Sequence, residues 1–171
     1  MKDALSIHRL LLEHQTSHEI VRLPRPITCA DELPEVLGLP LGRCFCTRMY
    51  THRTLGVRHF AAVVVTAGAW PSPAAVADAL GVLVVRPAPA DLINEATDYA
   101  AELVAPLMLP PGIVLLVDQQ AAGVDDVVYT ATGEAWNALG IHTLDLFALC
   151  DAKPVPIRSA IERVSRNRTE R

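Results

Sequence analysis

The run His59-Phe60-Ala61-Ala62-Val63-Val64-Val65 constrains this chain more than any other stretch. Apolar on both faces toward its end, it belongs at the centre of a sheet with cover on each side. The strand it implies, Val57 to Thr66, follows a second, Cys44 to Tyr50, across the polar connection Thr51 to Gly56, whose closing glycine suits a hairpin. The two are expected to pair antiparallel. Aromatics make up 5% of the residues against 51% for all hydrophobic types, so the core around this hairpin must be Ala, Val and Leu, as in strands covered by helices.

The flanking segments supply that cover. Leu5, Ile7, Leu10, Leu11 and Leu12 form a stripe at near-helical spacing with Lys2, Arg9 and Glu13 outward, and Glu19 to Leu23 reads as a short strand stopped by Pro24 and Pro26. Thr28 resembles an N-cap with Asp31 as a first-turn acid, leading through Leu33, Val36 and Leu37 to Gly38. Further on, the pattern predicts a helix from Pro71 through Ala79, a strand over Val82 to Val85, and a helix from Pro87 toward Ala96. Ile113 to Val117 and Asp126 to Thr130 read as strands of one mixed sheet. Thr132-Gly133 and Ala138-Leu139-Gly140 read as turns, Thr143 as the cap of a helix through Cys150, and Lys153 to Pro156 as a break. The expected fold is α+β: a single domain with a mixed, mostly antiparallel sheet flanked by helices.

Several classes are excluded. A chain of 171 residues with 20% charged side chains suits one compact domain, taken as 1–157. The segment 158–171 is a basic tail, in which Arg158, Arg163, Arg166, Arg168 and Arg171 outweigh Glu162 and Glu170. No apolar run is long enough to span a membrane, and Met1-Lys2-Asp3 leads into an amphipathic stretch unlike a signal peptide, so a cytoplasmic protein is expected. Cys29, Cys44, Cys46 and Cys150 are too scattered for a disulfide framework, and with no Cys-x-x-Cys or His-x-x-x-His pair neither a metal nor a cofactor is expected. A net charge of −4 predicts no broad nucleic-acid footprint.

A site is expected around Leu92 to Pro106. There a helical segment gives way to a short apolar turn closed by proline, with the oxygen-bearing run Thr97, Asp98, Tyr99 just ahead of it. Such a loop can aim backbone amides and side chains at a ligand.

The succession Leu37-Gly38-Leu39, Cys44-Phe45-Cys46-Thr47, Val63-Val64-Val65-Thr66, Val76 to Gly81, the Thr97-Asp98-Tyr99 to Pro106 loop, Val117-Asp118 and Leu144-Asp145-Leu146 resembles the YbaK/ProX family. These are editing domains, free-standing or synthetase-appended, that hydrolyse mischarged aminoacyl-tRNA, and the resemblance runs from about Ser6 to Ile157. It implies a cavity between sheet and loop that takes the tRNA 3′ end with its amino acid, and an aminoacyl-tRNA synthetase as a further partner. The family has a strand lysine in a Tyr-Lys-Thr setting and a Gly-x-x-x-Pro loop that positions the ester carbonyl and a water. Here the lysine position falls on Cys46, the loop glycine on Glu102, and the glycine before the loop tyrosine on Asp98.

Two acids for two glycines and a lost cation imply a rebuilt pocket. By period-two geometry Cys44, Cys46 and Arg48 share a strand face, so Arg48 is expected to replace the lysine and to pair with Glu102 or Asp98. Cys46 is either a thiolate nucleophile served by a nearby histidine, with His52, His59 and His142 as the candidates, or a small buried thiol filling the space of the lysine stem. The expected catalytic set is Cys46, Arg48 and Glu102, with Thr47, Asp98, Tyr99 and Pro106 binding substrate. Two functions follow: trans hydrolysis of a misacylated tRNA ester, or non-catalytic binding of an amino acid or aminoacyl conjugate on the same fold.

Overall fold

The hairpin forms as expected and is longer than its apolar pattern. A computed structural model describes residues 1–157, and the basic tail 158–171 lies outside the described residues. The chain runs α1 (Ala4–Glu13), β1 (His18–Arg22), a 3-10 turn (Ala30–Glu32), α2 (Leu33–Leu37), a second 3-10 turn (Leu41–Arg43), β2 (Phe45–Thr54) and β3 (Val57–Thr66). It continues through α3 (Pro73–Leu80), β4 (Arg86–Pro87), α4 (Ala90–Thr97), a third 3-10 turn (Ala101–Leu103), β5 (Val114–Asp118), α5 (Gln119–Ala122), β6 (Val127–Thr130), β7 (Asn137–His142), α6 (Thr143–Leu149) and β8 (Lys153–Val155). Strands β2 and β3 pair antiparallel from Phe45 opposite Thr66 to Thr54 opposite Val57. Only Leu55 and Gly56 turn the corner, both at positive φ (51° and 78°), the backbone of a two-residue hairpin turn.

This hairpin is the middle of a five-stranded sheet ordered β4-β2-β3-β5-β8, in which β3, β5 and β8 run parallel. A three-stranded antiparallel sheet, β1-β7-β6, lies beside it, joined by a bridge between Cys44 and Tyr129. The expectation of a mixed, mostly antiparallel arrangement with helical cover holds. The expectation that the segments at 113–117 and 126–130 share one sheet does not, because β5 and β6 belong to different sheets.

Both faces of the large sheet are buried, as the central run requires. Ala62 and Val64 pack with Phe45, Met49, Ile7, Leu11 and Tyr99 on one side. Val63 and Val65 pack with Cys44, Cys46, Tyr50, Leu33 and Val76 on the other. Among the described residues no helix is long and apolar enough to cross a membrane.

Several local expectations are corrected. Val82 to Val85 is not a strand: Leu83 is 99% exposed, and only Arg86–Pro87 pairs, since Pro87 and Pro89 have no N–H to extend a ladder. The stretch 138–140 is not a turn but the middle of β7, where Gly140 leaves room for the Tyr129 ring and Glu19, which a Cβ would meet at 2.8 and 2.9 Å. Lys153 to Val155 is an edge strand that tolerates Pro154, and α6 is capped by the His142 ring, which accepts from the Leu144 N–H. In α1, Ile7 and Leu11 are buried but Leu5 and Leu12 are exposed, and Lys2 turns inward to donate to the carbonyls of Thr97 and Met108.

Candidate functional site

Two attachments flank an unpaired stretch of the β2 edge. Cys44, just before β2, makes the bridge to Tyr129, while Tyr50 and Thr51 pair with β4 and the Ala88 N–H donates to the Met49 carbonyl. Strand residues present their backbone groups to alternate edges, so Thr47, two before Met49, directs its N–H and C=O into the gap. A cavity of about 170 Å³ occupies this place, lined by Cys46, Thr47, Arg48, Met49 and Tyr50, by Trp70 and Pro71 after β3, by Ile93 of α4, and by Ala101 and Glu102 of the third 3-10 turn. Cavities of ~150 Å³ accommodate a benzene, so this one suits an aminoacyl-sized group and is too small for a nucleoside as well. The Thr47 Oγ1 is buried and has no hydrogen-bond partner among the described residues.

Arg48 does not pair with Glu102 or Asp98. Its Nη1 and Nη2 donate to Asp31 Oδ2 and Oδ1 at 2.6 and 2.8 Å, and Nη2 and Nε also donate to the Ala69 carbonyl. The guanidinium carbon stands 3.6 Å from the centre of the Trp70 ring. An arginine only 8% exposed needs a geometrically matched anion, and Asp31 supplies one by projecting from the 3-10 turn that precedes α2. Asp31 also accepts from the Gly68 N–H, and the Tyr50 hydroxyl donates to the Pro71 carbonyl, so the segment from Gly68 to Pro71 is tied down over the cavity. Burial works to raise the Asp31 pKa, but the bonds from Arg48 and Gly68 outweigh it and hold the carboxyl below its usual range.

Cys46 lies beside this pair, its thiol 3.6 Å from Asp31 Oδ1. Burial first, and the adjacent carboxylate second, push its pKa far above the ordinary thiol value. A thiolate nucleophile needs the opposite environment, so the geometry favours the small buried thiol. The positive charge of Arg48 is opposed by Asp31, and Glu102, exposed at the rim, has no ion-pair partner among the described residues.

The structure therefore brings Cys46, Thr47, Arg48 and Glu102 to one cavity and leaves the other candidates outside it. Asp98 ends α4 in the left-handed conformation and meets the Met1 ammonium at 3.4 Å. Tyr99 is wholly buried, its hydroxyl donating to the Leu107 carbonyl, and Pro106 lines a different depression together with Leu107 to Pro111. His52 and His59 stack on each other at the hairpin tip, with centroids 5.2 Å apart, and His142 caps α6. Among the described residues no three His, Cys, Asp or Glu side chains converge to hold a metal ion. Sequence reasoning missed Asp31 and Trp70. The signal for the first was that an inward-facing arginine demands an acid, and for the second, an indole directly after the central strand.

No family model matches the chain, and no curated protein matches it. Among solved structures, the hypothetical protein APE2540 superposes with a TM-score of 0.78 at 21% identity, over 88% of this chain and 97% of its own. A candidate trans-editing enzyme for prolyl tRNA synthetase gives a TM-score of 0.69 at 17% identity, over 84% of this chain and 87% of its own. An epitope-grafting design on a scaffold protein gives 0.71 at 17%, over 90% and 92%. At these identities the likeness is one of fold.

Proposed function

We propose that the protein hydrolyses, in trans, the ester of a tRNA misacylated with a small amino acid, and that the β2-edge cavity receives the aminoacyl group. The observation that carries this reading is the unpaired backbone edge of Thr47, a residue that lines a hollow of about 170 Å³ and keeps a partnerless hydroxyl buried beside that edge. Such donors can hold an ester carbonyl oxygen and stabilise the charge it gains under attack.

Glu102 at the rim orients a water and accepts its proton as the water oxygen bonds to the carbonyl carbon. Collapse of the adduct breaks the bond to the ribose oxygen, which takes that proton, leaving a free amino acid and an uncharged tRNA. Arg48 acts indirectly, through Asp31 and Trp70, by fixing the wall at Gly68 to Pro71, and Cys46 fills space as a neutral thiol. The walls formed by Trp70, Ile93 and Ala101 limit the amino acid by size. The fold shared with a candidate trans-editing enzyme supports this reading, as does the resemblance of the motifs to the YbaK/ProX family; both fit a cytoplasmic role beside a synthetase.

A second reading, a non-catalytic receptor for an amino acid or aminoacyl conjugate, is favoured by one feature. The cavity's cation is already paired and its thiol is protonated. A panel of mischarged tRNAs separates the two. Ester loss above background, abolished by Glu102→Gly, supports hydrolysis, whereas binding of a non-hydrolysable aminoacyl analogue with no ester loss on any tRNA leaves the receptor.

A further inference from the structure

We infer that the groove beneath the β2–β3 hairpin tip binds the phosphate backbone of the single-stranded 3′ end of a tRNA, leading its terminal group into the β2-edge cavity; the identity of this partner rests on the function proposed above. The groove has a volume of about 860 Å³, and Arg53, Arg58 and Arg86 line it. No acidic side chain among the described residues lines it, and none of the three arginines has a carboxylate partner there. The net charge of −4 therefore hides a local concentration of positive charge.

The hairpin register makes this concentration unfavourable for the protein alone. Arg53 stands directly opposite Arg58. Like charges facing each other across a strand pair are destabilising, and an anion bound between them reverses the sign. Leu55 and Leu83, 98% and 99% exposed, supply apolar surface at the same groove. Cations beside apolar faces suit a single-stranded nucleic acid, whose phosphates and bases need both, better than an acidic peptide.

Position supports the same partner. Thr51 and Arg86 of the groove are paired across β2 and β4, and their immediate neighbours, Tyr50 and Pro87, line the small cavity. A strand laid along the groove thus ends one residue step from the cavity lining at Tyr50 and four strand residues, about 13 Å, from Thr47. The cavity takes the aminoacyl group and the groove takes the chain that carries it.

The test is fluorescence anisotropy of the full-length protein with a labelled, uncharged tRNA, from about 50 to about 200 mM salt. The variant Arg53→Ala/Arg58→Ala/Arg86→Ala is expected to bind roughly thirtyfold more weakly at the lowest salt and to lower the log–log salt slope by about 2 to 3. The matching triple lysine variant, which keeps the charges, is expected to retain most of the affinity. Arg86→Glu alone, at an exposed position, gives the same direction should the triple variant fold poorly. Wild-type affinity and slope in both the alanine variant and Arg86→Glu would overturn the inference, whether tRNA binds elsewhere or the groove serves an acidic protein instead. Uncharged tRNA carries no ester, so this outcome can be read even if every mischarged tRNA proves inert.

Discussion

Arg48 and Asp31 meet through two parallel N–H···O bonds of 2.6 and 2.8 Å, and this pair fixes the cavity wall formed by the segment from Gly68 to Pro71. Removing one member of a buried, bidentate pair strands the other charge, which typically destabilises by about 3 kcal/mol. Asp31→Ala is expected to lose about that much in urea denaturation. It should also free Trp70, seen as a shift in indole fluorescence at denaturant concentrations well below global unfolding. Arg48→Lys cannot supply both the fork to Asp31 and the bonds to the Ala69 carbonyl, so a loss of about 1 to 2 kcal/mol is expected despite the retained charge. A loss under about 0.5 kcal/mol in Asp31→Ala would mean that the pair is incidental to the fold.

The same carboxylate predicts an acid limb. Asp31 is held below its ordinary pKa, and Glu32, through bonds from Thr28 first and Arg25 second, is lowered to about 2. Groups depressed in the folded state stabilise it fully above their unfolded pKa values, near 4, and that contribution disappears as pH falls through the folded values. The urea midpoint should therefore be flat from about pH 7 to about pH 5 and drop steeply between about pH 4 and about pH 2. Asp31→Asn, with no proton to take up, should start lower and fall less over the same range. An equally steep limb in that variant would assign the acid sensitivity to other carboxylates.

Thiol chemistry separates Cys46 as filler from Cys46 as nucleophile. Burial pushes Cys44 and Cys150 to about 11 and Cys46 higher still, whereas Cys29 is half-buried. Iodoacetamide at neutral pH is expected to add one carbamidomethyl group per folded chain, at Cys29, and four after denaturation, read by mass spectrometry. Rapid labelling of Cys46 in the native protein would restore the thiolate mechanism.

The two-faced apolar pattern of residues 59–65 made the hairpin and its central place legible, because burial on both sides leaves few other homes for such a run. Where proline and glycine serve packing instead of turning, the reading failed. Gly140 makes room for Tyr129 and Glu19 inside β7, and Pro154 sits on an edge strand where a missing N–H does no harm. The site divided along a similar line. Strand alternation placed Cys46 and Arg48 inward correctly, since period two is local. The partner of Arg48 was not local: Asp31 lies 17 residues away on a 3-10 turn, and only tertiary packing selects it over Glu102 or Asp98. Tyr99 looked like a ligand-facing residue because it follows two polar ones. Its hydroxyl instead reaches the Leu107 carbonyl, which reconciles a polar group with full burial.

Thr47 offers a test in which stability and function move in opposite directions. A hydroxyl buried without a partner destabilises the folded state, by roughly 1 kcal/mol or more, since it has left water without replacing its hydrogen bond. Valine keeps the β-branched shape and suits the strand, so Thr47→Val should raise the unfolding free energy by about 0.5 to 1 kcal/mol. If the hydroxyl holds an ester carbonyl, the same substitution should lower kcat/KM on a mischarged tRNA about tenfold or more, with the loss falling mainly on kcat because the bond strengthens as the oxygen becomes negative. A residue serving only the fold would show no such opposition. Greater stability with unchanged turnover would remove the Thr47 hydroxyl from the site and leave its backbone N–H as the donor to the substrate carbonyl.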